Sequence, residues 1–209
     1  MILALDLSLA CVGWSKFSSD GKLVDRGRII PAKELDNCFK ICYIAEQIKN
    51  LYVGIEELVV EDVFVGINVR STIWLTRLAG AIIRDWVAFK YKSVNFINAS
   101  HARAVMGINA QSHKAEIQVW VLNNYQIIPK DKIEKYEKIT TKLKEQFKKE
   151  DLTKGKYKYQ MSLISDKIDK DTGVGEDTAD SIIVGLAYIR EKNGTAQKRK
   201  RSRKVTRRK

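Results

Sequence analysis

Three apolar runs in this chain carry four carboxylates between them. A fold must pair those charges or bury them at a cost. Asp6 lies in Met1-Ile-Leu-Ala-Leu-Asp6-Leu-Ser8, and Glu61 ends Leu58-Val-Val-Glu61. Asp177 and Asp180 open Gly175-Glu-Asp177-Thr-Ala-Asp180-Ser-Ile-Ile-Val. An unpaired carboxylate in an apolar setting is expensive, and several brought together usually share a divalent cation. The rest of the chain is strongly basic, with a formal charge of +13 over 209 residues. Acids clustered inside a basic protein point to a metal-dependent enzyme acting on a polyanion.

The elements that would carry these acids can be read from the pattern. Residues 2–8 read as a buried strand, residues 11–19 as a second, and residues 22–30 as a third, with Asp20-Gly21 a hairpin turn between the last two. Pro31 ends the meander. Residues 34–52 have helical spacing, with Leu35, Phe39, Ile41, Cys42, Ile44, Ala45, Ile48 and Leu51 on one broad face. Residues 57–61 form a short Val-rich strand, expected to be parallel and interior to the sheet. Residues 71–91 make a long helix, 94–97 a strand, and 100–106 a short helix capped by Ser100. Helices over 112–124 and 177–189 follow. The order implies an α/β fold with a mixed five-stranded sheet flanked by helices. Residues 130–171 are a charged insertion in which Ile133, Tyr136, Ile139, Leu143 and Phe147 form a narrow stripe. A charged surface helix is the simplest reading; packing on the body, dimerisation or a basic arm on DNA are the others.

Nine of the Lys and Arg residues lie in the last fifteen positions, which contain no acid, so the body carries only +4. The run Lys198, Arg199, Lys200, Arg201 and onward lacks apolar periodicity and reads as a disordered tail beyond a domain of residues 1–192. Such tails bind phosphate backbones by counterion release; a nuclear address is another reading. No apolar run is long enough for a membrane span, and no export signal opens the chain, so an intracellular, cytoplasmic protein is expected. Cys11, Cys38 and Cys42 are too few and too unevenly spaced for a disulfide framework. Cys38 and Cys42, four residues apart, are expected in the core rather than on zinc.

Asp177 and Asp180, three residues apart, share a helix face. If that helix crosses the first strand, Asp6 and Glu61 can meet them. Two Mg²⁺ ions, with Mn²⁺ as an acceptable substitute, would relieve the repulsion and promote in-line attack on a phosphodiester, without a Ser, His or Cys nucleophile. Each acid also has a structural reading: Asp6 as a turn cap, Glu61 or its neighbour Asp62 as a solvated residue, Asp177 as a helix cap or dipole partner.

In order and spacing these segments resemble the RuvC family of Holliday junction resolvases, within the ribonuclease H-like nucleases. The resemblance rests on Leu5-Asp6-Leu-Ser8 with Val12-Gly13-Trp14, on Val60-Glu61-Asp-Val-Phe64, and on the small-residue helix around Ala79-Gly80-Ala81. Arg103-Ala-Val-Met-Gly107 with His113-Lys114 matches loosely, and Asp177-Thr-Ala-Asp180-Ser181 matches well. It covers about residues 1–124 and 174–190. The long segment between Tyr125 and Thr172 and the basic tail depart from the bacterial pattern and suggest a viral or phage member. The resemblance implies a Mg²⁺-dependent endonuclease that resolves four-way DNA junctions by paired nicks. Asp6, Glu61, Asp177 and Asp180 would be its metal ligands. Phe64 would stack on a base, and Arg103, Lys114 and His113 would contact phosphate. His101 is read as a surface residue. It also implies a homodimer, with the helix over 71–91 as candidate interface.

Three alternatives compete. An actin-like or sugar-kinase ATPase would need glycine-rich phosphate loops, which Gly13 and Gly21 alone do not supply. A noncatalytic nucleic-acid-binding protein would not need four buried acids. An RNA-processing member of the same nuclease superfamily is the nearest rival: RNA-specific readers exploit the 2′-OH, and no residue here settles that choice.

Overall fold

A computed structural model describes residues 1–62, 69–109, 111–125, 127–149 and 152–194. The N-terminal meander forms as the sequence predicts. Strand β1 (Ile2–Asp6) pairs antiparallel with β2 (Val12–Phe17), which pairs antiparallel with β3 (Leu23–Ile29). The turn uses Gly21 at φ +86°, a conformation glycine adopts without penalty. Strand β4 (Glu57–Glu61) lies parallel to β1, and β5 (Asn95–Ile97) parallel to β4, giving the order β3-β2-β1-β4-β5. The α/β class and the mixed five-stranded sheet are therefore as expected.

Side-chain alternation divides the core into two layers. Leu3, Leu5, Leu58 and Val60 face α1 (Asn37–Asn50) and α2 (Val69–Lys90), packing against Ile44, Ile48, Leu78, Ile82 and Trp86. Ile2, Ala4, Phe17 and Val59 face the other way. They meet α7 (Glu176–Lys192) through Ile182, Ile183 and Ala187, together with α3 (Ala99–Val105) and α4 (Lys114–Tyr125). Asp6 continues the Ile2–Ala4 face and Glu61 continues the Val59 face. The same period that buries the core thus turns both acids toward α7.

Two glycines let α7 lie directly on the sheet. A Cβ at Gly185 would fall 2.3 Å from the Phe17 ring, and one at Gly13 would fall 1.9 Å from the backbone carbonyl oxygen of Asp177. Gly13 is the register partner of Asp6, so this close approach seats the first turn of α7 beside the end of β1. Backbone cannot yield there as a side-chain tip could. Gly13→Ala is expected to cost about 3 kcal/mol by overpacking, seen as a fall in thermal midpoint.

The charged insertion is two helices, α5 (Lys130–Lys148) and α6 (Lys154–Thr172), packed on each other and on α4. The apolar stripe explains this: Ile133 and Tyr136 are buried and Leu143 packs against the core, while Ile139 stays exposed. Lys144 bonds Glu116 of α4 at 2.5 Å, and Arg28 of β3 bonds Asp169 of α6 at 2.6 Å. The buried amide of Gln118 donates to the carbonyls of Val174 at 2.8 Å and Ser165 at 3.3 Å. Packing on the body is therefore the arrangement adopted.

Several local expectations change. Asn98, not Ser100, caps α3: its side chain accepts from the backbone N–H groups of Ser100 and His101. Cys38 and Cys42 are exposed rather than buried, because α1 covers the sheet with Ile44, Ala45 and Ile48 and turns its first turn outward. Phe39, on the broad apolar face of the first helix, is exposed, and so is Val87 of α2: each helix buries a narrower stripe than its apolar content suggests. Among the described residues no helix is long and apolar enough to cross a membrane. The basic tail beyond residue 194 lies outside them.

Candidate active site

The four acids come from the C-terminal ends of two neighbouring strands and the start of one helix. Asp6 is the last residue of β1 and Glu61 the last of β4, its parallel neighbour. Asp62 turns outward into solvent, its backbone N–H donating to Ile97 at 2.9 Å. That separates the adjacent pair Glu61 and Asp62 into one inward and one solvated acid. Helix α7 begins after Gly175 with Glu176 and Asp177 in its first turn and Asp180 one turn on. Carboxylates there gain from the helix dipole, but the sheet beneath removes water from them.

The electrostatic result is a cluster that resists full ionisation. Burial, and then the charges of Glu61, Asp180, Asp177 and Glu176, push the Asp6 carboxyl up to about 9. Burial and Asp180 push Glu61 up to about 7, against the pull of Arg103 and a hydrogen bond from Asp6. Asp180 is raised by burial despite Arg103, and Glu176 by burial despite Lys114. These shifts arise because like charges share a poorly hydrated space.

Positive side chains already hold part of the cluster. Arg103 Nη2 donates to Asp180 Oδ1 at 3.0 Å, and Lys114 pairs with Glu176. Arg103 Nε is buried without a partner among the described residues. Lys114 reaches the site because α4 starts beside it. His113 caps that helix, with its backbone N–H bonded to Glu116 Oε2 at 2.9 Å, one half of a capping box. The His113 ring lies edge-on to Tyr157 with centroids 6.1 Å apart, and burial lowers its pKa. Burial thus disfavours its charged form, against the pull of Glu116. His101 pairs with Glu191 at 2.6 Å and does not enter the cluster. Phe64, Lys198, Arg199, Lys200 and Arg201 lie outside the described residues.

Two participants escaped the sequence reading. Glu176 was visible only as a neighbour of Asp177, and its placement follows from the helix starting one residue earlier than expected. Cys11, at the loop leading into β2, hydrogen-bonds Asp177; burial and then that bond push its thiol up to about 12. Cys38 and Cys42, both exposed, should react quickly with a thiol reagent. Cys11 should react only on unfolding, which a timed thiol titration with and without denaturant would reveal.

The donor chemistry fits a hard divalent cation. Asp6, Glu61, Asp177 and Asp180 offer only carboxylate oxygen, the ligand type such ions prefer, and without a cation Asp6 is pushed toward its protonated form. Among the described residues, however, no three Asp, Glu, His or Cys side chains converge as a finished cage. Arg103 occupies an Asp180 oxygen that a cation would otherwise claim, and Lys114 holds the neighbouring Glu176.

No family model matches the chain, and no curated protein does either. Solved structures do. A structure of Thermus thermophilus RuvC matches with a TM-score of 0.57 at 12% identity, covering 93% of this chain and 97% of that one. Another, of T. thermophilus RuvC in complex with a Holliday junction substrate, gives 0.56 at 10% identity, covering 93% and 96%. The chain has the ribonuclease H-like fold of RuvC. At such low identity the likeness is one of architecture; in the sequence the resemblance rests on short motifs at strand ends and at the start of α7.

Proposed function

We propose that this chain is a divalent-metal-dependent endonuclease that cuts four-way and other branched DNA by paired hydrolytic nicks. The observation that carries this is the placement of Asp6 and Glu61 at the C-terminal ends of adjacent parallel strands, close enough to Asp177 and Asp180 of α7 to feel their charge, beside Arg103 and Lys114. The shared fold with a protein solved on a Holliday junction supports the choice of substrate.

In this reading the four acids hold Mg²⁺, or Mn²⁺ in its place, through carboxylate oxygens. The ions would acidify the attacking water and offset charge on the leaving 3′ oxygen. Asp6 gives up its proton to enter the site, and the first turn of α7 fixes Asp177 and Asp180 against β1. Arg103 and Lys114 would lend positive charge to the non-bridging phosphate oxygens, an interaction that positions the strand without reading sequence.

The proposed assembly is a homodimer, because two sites related by a two-fold axis suit two strands related by the same symmetry. Helix α2 presents Val69, Ile73 and Val87 to solvent on its outer face, 61%, 47% and 41% exposed. With Gly80 open above the helix, this stripe is the candidate interface.

The test is cleavage of a labelled four-way junction beside linear duplex and an RNA–DNA hybrid, with Mg²⁺ and with EDTA. Symmetric Mg²⁺-dependent nicks in the junction are expected. Cutting of the hybrid alone would move the chain to an RNA-processing role. Removing residues 195–209 should weaken binding and flatten its salt dependence, by about 0.9 in log–log slope for each phosphate no longer neutralised, while leaving the cutting rate at saturation intact.

A further inference from the structure

An open cavity of about 470 Å³ lies beside the proposed site, lined by Ser8, Leu9, Ala10, Asn37, Arg70, Ser71, Trp74 and Leu75. It sits where the loop after β1 meets the first turns of α1 and α2. Its volume falls within the roughly 300–1,000 Å³ typical of small-ligand sites. The acids of the cluster do not line it, and the chemistry assigned above does not use it.

The walls have complementary chemistry. Leu9 and Leu75 are apolar. Trp74 offers an indole, and the Arg77 guanidinium is stacked over it at 4.4 Å from the ring centroid. A ring has two faces, so one remains for a second planar group. The Ser8 hydroxyl accepts from the backbone N–H groups of Ala10 at 3.2 Å and Cys11 at 3.0 Å. Both lone pairs are thereby used, and its own proton is left to donate. Neither the Asn37 amide nor the Arg70 guanidinium has a hydrogen-bond or ion-pair partner among the described residues.

A flat aromatic surface, an unpaired guanidinium, an amide that can both donate and accept, and a spare hydroxyl donor together match one nucleotide. The indole takes a base, since every base has a π-face. Arg70 takes a phosphate, and Asn37 can reach a base edge. Ser8 follows Asp6 by two residues, at most about 7 Å of chain, so the occupant would neighbour the phosphate that is cut.

We propose that this cavity receives one unpaired nucleotide of branched DNA, its base stacked on Trp74 and its phosphate held by Arg70, next to the cut strand. This rests on the nuclease reading and adds a basis for preferring branch points over duplex: only there is a base free to leave its stack.

The test uses the full chain in EDTA, which prevents cutting, and a four-way junction carrying 2-aminopurine at successive positions around the exchange point. Binding should change the emission at one position beside the nick. Trp74→Phe should retain the change, and Trp74→Ala should abolish it while lowering junction affinity about tenfold. Arg70→Ala, at an exposed position, should weaken junction binding with the fold intact by circular dichroism. Affinity for linear duplex should stay the same in all three variants. An emission change that survives Trp74→Ala would overturn the assignment. So would a change in oligomeric state on Trp74→Ala, measured by light scattering, since that would make the cavity part of a protein interface. If the wild-type chain fails to bind the junction, the nuclease reading falls and this inference with it. Junction binding without a Trp74-dependent signal sinks the cavity assignment alone.

Discussion

Replacing Asp6 with asparagine should reduce phosphodiester cutting by a factor on the order of 10³ or more while leaving junction binding nearly unchanged. The amide keeps the shape at the end of β1 but removes the charge that would draw a cation into the site. A bound metal contributes several kcal/mol of transition-state stabilisation, and each 1.36 kcal/mol or so is tenfold in rate. Binding depends on basic groups elsewhere, so a gel-shift titration should match wild type within a few-fold. Asp180→Asn should behave similarly in cutting, with one difference. Arg103 would lose the carboxylate it bonds at 3.0 Å and become available to the backbone phosphates. Mg²⁺-dependent cutting by Asp6→Asn at the wild-type rate would remove that residue from the site.

The second large effect is a metal-free stability that falls as pH rises, and that Mg²⁺ restores. Asp6 holds its proton up to about 9 and Glu61 up to about 7, against ordinary values of 3.8 and 4.5. Between the unfolded and folded values the native state binds more protons than the unfolded chain. Stability therefore decreases with increasing pH across that window and is flat below it, where both states are protonated. An extra proton held from about pH 6 to about pH 8.5 corresponds to about 3 kcal/mol, a drop in thermal midpoint of roughly 6–12 °C. Asp6→Asn should flatten this slope. Metal binding must displace those protons, so affinity should rise with pH up to about 9. Calorimetry in two buffers of different ionisation enthalpy would detect proton release near pH 7. A midpoint in EDTA that is independent of pH would show that the acids are hydrated and separate.

The parts legible in the sequence were those written in alternation and spacing. Ile2, Ala4 and Asp6 share a face, as do Val59 and Glu61, so the inward aim of both acids follows from the strand period. The turn at Gly21 and the shared face of Asp177 and Asp180 were equally local. What could not be read depended on the meeting of distant segments. Gly13 has the look of an isolated glycine in the chain, yet the carbonyl of Asp177 lies against it. Lys114 was assigned to phosphate with no sign that Glu176 would claim it. Cys38 and Cys42 carried core-like chemistry at positions that α1 leaves in solvent, since composition does not fix how a helix is rotated. Arg28 and Asp169, 141 positions apart, have no shared pattern in the chain.

The charged hairpin of α5 and α6 is tied to both sides of the site at once. Lys144 of α5 holds Glu116 at the start of α4, and the Gln118 amide of α4 bridges the carbonyls of Ser165 in α6 and Val174 just before α7. Native-state hydrogen exchange should therefore find α6, the 173–175 turn and the first turn of α7 opening as a single foldon. A decoration with no acid in the cluster would then set how often Asp177 and Asp180 are in place.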